Sequence, residues 1–97
     1  MYDELYEQSG SDIIQQLGKR YSDYRKRIGY TQKEVSVKSG LSIFTISSFE
    51  NGSSTGVTVA SFIKMLRAID TLEEIEKLLP ELPKSPLKLF KKQQKEK

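Results

Sequence analysis

Residues 32–52 read QKEVSVKSGLSIFTISSFENG, and the punctuation of this stretch decides the architecture. Thr31 stands just before it, with Glu34 three residues further on. At that spacing a threonine hydroxyl and a glutamate carboxylate satisfy each other's backbone N–H groups, a capping box that starts a helix. Tyr30 and Val35 take the flanking positions where apolar side chains staple the entering chain. The helix runs to about Ser39. Gly40 follows, and glycine adopts the left-handed conformation of a sharp turn at no steric cost. Ser42 caps the next helix, with Leu41 and Ile46 as its staple. Ile46 and Phe49 face inward along it, and Asn51-Gly52 ends it. The stretch is thus two short helices joined by a glycine turn.

Residues 1–10, MYDELYEQSG, keep no sustained period and are expected to fray or to extend the next helix. From Ser11, a candidate N-cap, apolar residues recur at Ile14, Leu17, Tyr21, Tyr24 and Ile28. Steps of three and four put them on one helix face, and Gly29 closes that helix. Beyond the loop SSTGV at 53–57, Thr58 caps a further helix, stapled by Val57 and Phe62. Its buried stripe is Val59, Phe62, Ile63, Leu66 and Ile69. Thr71 and Glu74 repeat the capping-box spacing, so a fifth helix is expected there, with Leu72, Ile75, Leu78 and Leu79 as its apolar face. Pro80, Pro83 and Pro86 forbid a regular helix after it. No alternating run predicts a strand apart from a short extended piece near Leu87–Phe90, and there are no internal repeats. The expectation is an all-α chain of five helices: an N-terminal extension over 1–10, a domain over 11–80, and a flexible Pro/Lys-rich basic tail over 81–97.

Ninety-seven residues make one domain with a modest core, which leaves a few apolar side chains for a partner chain. The chain has neither cysteine nor histidine, so no disulfide frame, no zinc site and no imidazole for proton transfer is expected. No paired carboxylates and no phosphate-cradling glycine motif stand out, so neither an enzyme nor a cofactor is expected. No run approaches the roughly 18 apolar residues of a membrane span. The acidic, polar N-terminus is the opposite of a signal peptide, which points to the cytoplasm. The net charge of +3 is unevenly placed. Asp3, Glu4, Glu7 and Asp12 dominate the start, whereas Lys84, Lys88, Lys91, Lys92, Lys95 and Lys97 oppose only Glu96 at the end. Such a tail suits a polyanion partner, or serves simply as a solvated end that aids solubility.

Two short helices about a glycine turn make a helix-turn-helix, whose second helix is shaped to enter the major groove of DNA. The order Arg25, Gly29-Tyr30-Thr31-Gln32, Glu34-Val35, Ser39-Gly40-Leu41-Ser42, Thr45-Ile46-Ser47 and Glu50-Asn51-Gly52 resembles the phage repressor and Cro-like (Xre-type) family. The likeness covers about residues 13–70, with no gap inside the helix-turn-helix. It implies a lambda-repressor-like fold, double-stranded DNA as partner, and transcriptional regulation by a dimer bound to an operator. It also implies roles. Gln32 would touch a phosphate. Ser42, Ile43, Phe44, Thr45, Ser47 and Ser48 would meet base edges and flanking phosphates, and Asn51 the backbone just beyond. Arg25 and Glu50 would form an inward salt bridge, which is structural.

Ile43 and Phe44 are large apolar residues at an exposed helix start. The functional reading is contact with thymine methyl groups, and the plain one is that they cover the turn or the following helix. The chain departs from the family pattern here, because residues 42–50 hold no Arg, Lys, Gln or Asn to make bidentate base contacts. A T-rich site read partly through DNA shape is expected. Ser36 replaces a small apolar residue and is expected to bond to the carbonyl four residues earlier. Lys33 and Lys38, with Lys19, Arg20, Lys26 and Arg27, are candidate phosphate partners, and Ser53 and Ser54 serve in a loop without a base. One recognition helix reads few base pairs, so a homodimer is expected, with Met65, Leu78, Leu79 and Leu82 as its contact. Leu87, Leu89 and Phe90 could instead add to another chain as a strand. That segment and the shortness of the chain keep open a Hip-type antitoxin, which would hold a kinase-like toxin and autoregulate its operon.

Overall fold

The computed structural model describes residues 2–83. In order it contains α1 (Tyr2–Glu7), α2 (Gly10–Ile28), α3 (Gln32–Ser39), α4 (Ile43–Glu50), α5 (Val59–Ala68) and a 3₁₀ helix (Leu72–Lys77). Among the described residues there is no strand, and no helix is long and apolar enough to cross a membrane. The extended piece expected near 87–90 lies outside them.

The helix starts follow the side-chain caps. Thr31, Ser42 and Thr58 each accept a hydrogen bond from the backbone N–H three residues on. At α2 the cap is Ser9 rather than Ser11, with the Asp12 N–H donating to the Ser9 hydroxyl at 3.0 Å. The residues before it form the separate short helix α1 instead of fraying or extending α2. The expected fifth α-helix is a 3₁₀ helix. Thr71 makes no cap there; its hydroxyl donates back to the Leu66 carbonyl at 3.3 Å. Leu72, Ile75 and Leu78 recur every three residues, which is the 3₁₀ period rather than the α period.

The core consists of Tyr21, Val35, Ile46, Phe49, Met65, Ala68 and Ile69, lined by Ile14, Leu17, Tyr30, Leu41, Val57 and Phe62. α2 and α3 pack on α4, α5 packs on α3, and the 3₁₀ helix packs on α5. Met65 is fully buried in this core, so it is not available for a dimer contact. Tyr24, Ile28 and Val59 were expected in buried stripes and are exposed. The buried row of α2 is instead Gly18, Tyr21 and Arg25. That row keeps the steps of three and four, but with a glycine and an arginine in it.

Gly18 sets how closely two helices meet. A methyl group placed on it would stand 1.9 Å from the Phe49 carbonyl oxygen and 2.9 Å from its carbon. The obstacle is backbone, so it cannot rotate away. Across the same seam the Tyr21 ring lies 6.0 Å from that of Phe49, and its hydroxyl donates to the Met65 carbonyl of α5 at 2.8 Å. Burial pushes the Tyr21 hydroxyl above its ordinary pKa, with the Glu50 charge adding to the effect. Gly18→Ala should gain up to ~1 kcal/mol in helix propensity yet lose more by forcing α2 off α4. A net destabilisation of about 1–3 kcal/mol is expected from such overpacking, read as a lower urea midpoint. An unchanged or higher midpoint would mean that the two backbones are not in contact at Gly18.

Candidate nucleic-acid interface

Local hydrogen bonds set the ends of α3 and α4 and the Gly40 turn between them. The Thr31 hydroxyl accepts from the Glu34 N–H, and the Glu34 carboxylate accepts from the Thr31 N–H, both at 3.0 Å. These bonds from Thr31 hold the Glu34 carboxyl below its usual pKa. Gly40 takes φ +77° and donates to the Ser36 carbonyl at 3.0 Å. Ser36 does not bond backward as expected. Its hydroxyl donates forward to the Leu41 carbonyl at 2.6 Å, across the turn. The Leu41 N–H donates to the Ser39 hydroxyl at 3.1 Å, so two serines hold the turn on both sides. The Thr45 N–H donates to the Ser42 hydroxyl at 3.0 Å, and the two hydroxyls share a further hydrogen bond of 2.9 Å.

The far end of α4 is tied to α2. Arg25 donates through Nε to Glu50 Oε2 at 2.7 Å and through Nη2 to Oε1 at 2.8 Å. Its third group, Nη1, donates to the Tyr30 carbonyl at 2.8 Å. Both side chains are nearly removed from solvent, at 9% and 5% exposure. Gln32 joins them, its Nε2 donating to Glu50 Oε1 at 3.0 Å. Burial pushes the Glu50 carboxyl up, but the hydrogen bonds from Arg25 and Gln32 outweigh it and leave the carboxyl below its ordinary value. The bond to Glu50 raises the Arg25 guanidinium further.

The first turn of α4 stands out of the surface. Ile43 is 45% exposed and Phe44 79%. Ser42 is exposed, while Thr45 and Ser47 are half-buried. Ser48 is buried and donates to the Phe44 carbonyl, so its place among the DNA-facing residues is corrected. It falls on the inner side of α4, next to Phe49. Asn51 is exposed, with its Oδ1 accepting from the Ser53 N–H at 2.8 Å. Gln15 on α2 donates to the Gly52 carbonyl at 3.2 Å and so anchors that loop. Lys33 and Lys38 are exposed, and the Lys38 ammonium lies 4.9 Å from the Tyr30 ring centre. Lys19, Arg20, Lys26 and Arg27 stand exposed along α2. Val37 on α3 is exposed as well. Leu78, Leu79 and Leu82 are exposed, unlike Met65.

A family model described as helix-turn-helix matches residues 22–76. The match runs from within the second half of α2 to the last residue but one of the 3₁₀ helix. Comparison with the curated proteins and with the solved structures finds no match.

Glu50 also makes stability depend on pH. Its folded pKa lies below the unfolded value, so its contribution is complete above the unfolded pKa of about 4.3 and is lost as the pH falls towards the folded value. Glu50→Gln should lower the unfolding free energy by about 3–5 kcal/mol at neutral pH, because Arg25 is left buried without its counter-charge. It should also flatten the acid loss of stability below about pH 4.3. Melting curves from pH 3 to 7 test both; an acid slope equal to that of the parent would remove Glu50 from the account.

Proposed function

The chain belongs to the helix-turn-helix family of phage repressor and Cro-like, DNA-binding transcriptional regulators, and from that premise we propose that it is a sequence-specific repressor acting as a dimer on an operator. The supporting observation is the first turn of α4, which presents Ile43 and Phe44 outward while Ile46, Phe49 and Glu50 fix the helix from behind. α4 enters the major groove with its N-terminal residues against base edges. Ser42, Ile43, Phe44, Thr45 and Ser47 meet the bases and flanking phosphates. Lys33, Lys38 and Asn51 meet the backbone. Gln32 has a double part: one N–H of its Nε2 supports Glu50, and the other, at the start of α3, is left to donate to a phosphate. The mechanism is occupancy, and the regulator works where the DNA is, in the cytoplasm.

The DNA-binding unit is taken as residues 11–80, between an N-terminal extension and a basic tail. Dimerisation falls to Leu78, Leu79 and Leu82, a ridge of exposed leucines at the end opposite the extension in sequence. A second reading is a Hip-type antitoxin that holds a kinase-like toxin through the segment with Leu87, Leu89 and Phe90, which lies outside the described residues, and autoregulates its operon.

Selection from random duplex DNA at about 0.15 M salt tests the first reading. A palindrome with half-sites about ten base pairs apart is the expected product. Enrichment of nothing would overturn the reading and leave the antitoxin in its place. Leu79→Glu with Leu82→Glu should convert the dimer to a monomer in sedimentation, at unchanged melting temperature, because both side chains are exposed. A chain that sediments as a monomer already would remove the ridge from dimerisation.

A further inference from the structure

We infer that the reading face of α4 recognises the C5-methyl group of pyrimidines rather than the hydrogen-bonding edge of a base, so that 5-methylcytosine is accepted where thymine is. The inference rests on α4 entering the major groove and goes further, to what it reads there.

The argument begins with the polar groups of the face, most of which are already engaged. The Ser42 hydroxyl accepts from the Thr45 N–H and bonds to the Thr45 hydroxyl. Ser48 is buried and donates to the Phe44 carbonyl. Asn51 Oδ1 is held by the Ser53 N–H, and Gln32 Nε2 by Glu50. Ser47 keeps its hydroxyl, but a hydroxyl both donates and accepts and therefore does not tell an amino group from a carbonyl. Residues 42–50 carry no side chain with the fork that separates guanine or adenine from the rest.

The outward apolar surface is large by contrast. Phe44 is 79% exposed and Ile43 45%, so most of the Phe44 ring in particular is left uncovered by the turn and by α5. A rigid mount presents them, because Ile46 and Phe49 are at most 1% exposed beneath the same helix. Within the major groove the one apolar feature is the methyl on C5 of thymine. Methylation of cytosine puts the same group on the same ring carbon. A face of this composition gains from burying that methyl and has little with which to reject the N4 amino group beside it. Binding would then respond to cytosine methylation of the DNA, with methylated C·G pairs standing in for T·A at contacted steps.

The test uses the full chain and the duplex recovered by selection. Each thymine is replaced in turn by deoxyuridine, by cytosine paired with guanine, and by 5-methylcytosine paired with guanine. Deoxyuridine removes only the methyl and should weaken binding roughly fourfold at each contacted position, the value of one buried carbon. Cytosine should weaken it at least as much, and its methylation should recover roughly fourfold. In Ile43→Ala and Phe44→Ala the difference between thymine and deoxyuridine should shrink towards none, at unchanged melting temperature. Should deoxyuridine duplexes bind as tightly as the parent duplex at every position, methyl reading is wrong and DNA binding stands. Should no duplex be retained at all, the underlying DNA reading fails and the inference with it. The comparison of bases uses the unaltered chain, so it does not depend on either variant folding.

Discussion

The pairing of Arg25 with Glu50 joins more of this structure than any other contact. One guanidinium grips the last residue of α4 with two parallel N–H groups and the Tyr30 carbonyl, just before α3, with another. Gln32, the first residue of α3, closes the set on the same carboxylate. Three helices and the junction between two of them therefore meet at one nearly dry charge pair. Such a pair adds little net stability against an apolar replacement of equal volume, because both ions lose their hydration. Its effect is geometric. The planar fork fits a carboxylate in one orientation, so the end of α4 is fixed with respect to α2, and the first turn of α4 is left projecting from the surface.

Gly18 completes that placement from the other side. α2 approaches the Phe49 carbonyl closely because position 18 has no side chain. Phe49 then packs between the rings of Tyr21 and Phe62, each centred 6.0 Å away. α4 is thus held by backbone contact, ring contact and ion pair within its last two residues. Its first two residues carry no such ties and stand out of the surface.

The parts of the fold that were legible in the sequence are those set by near neighbours. The Thr31–Glu34 box, the Gly40 turn, and the caps at Ser42 and Thr58 involve atoms within a few residues, and the side-chain types alone specify them. The Arg25–Glu50 pair was legible for another reason: the family pattern carries it. What escaped depends on contacts distant along the chain. Gly18 looks like a weak point in a helix until Phe49 is known to lie against it. Met65 reads as spare apolar surface, yet it is core because the buried face of α5 is turned towards Met65 and Ala68 and away from Val59. Ser48 looked like part of a polar outer face, but a hydroxyl that bonds to the carbonyl four residues back can be buried without loss. Thr71 repeats the spacing of Thr31 without its geometry, since its backbone departs from the extended conformation that a cap requires.

Affinity and selectivity separate on this surface. A face of Ile43, Phe44 and engaged hydroxyls has no charge with which to hold a polyanion. Attraction must come from elsewhere, and the exposed bases nearest in sequence are Lys33 and Lys38 on α3 and Lys19, Arg20, Lys26 and Arg27 on α2. Contacts of that kind fix position and register while carrying no sequence information. On the proposed reading, selection among sequences is then left to apolar contact and to the shape of the groove. Exposed apolar side chains cost solubility in the free protein, and that cost makes sense only where their burial on DNA returns something a charged side chain cannot supply. A methyl group in the groove is such a target, because water hydrates it poorly and only an apolar partner gains by covering it.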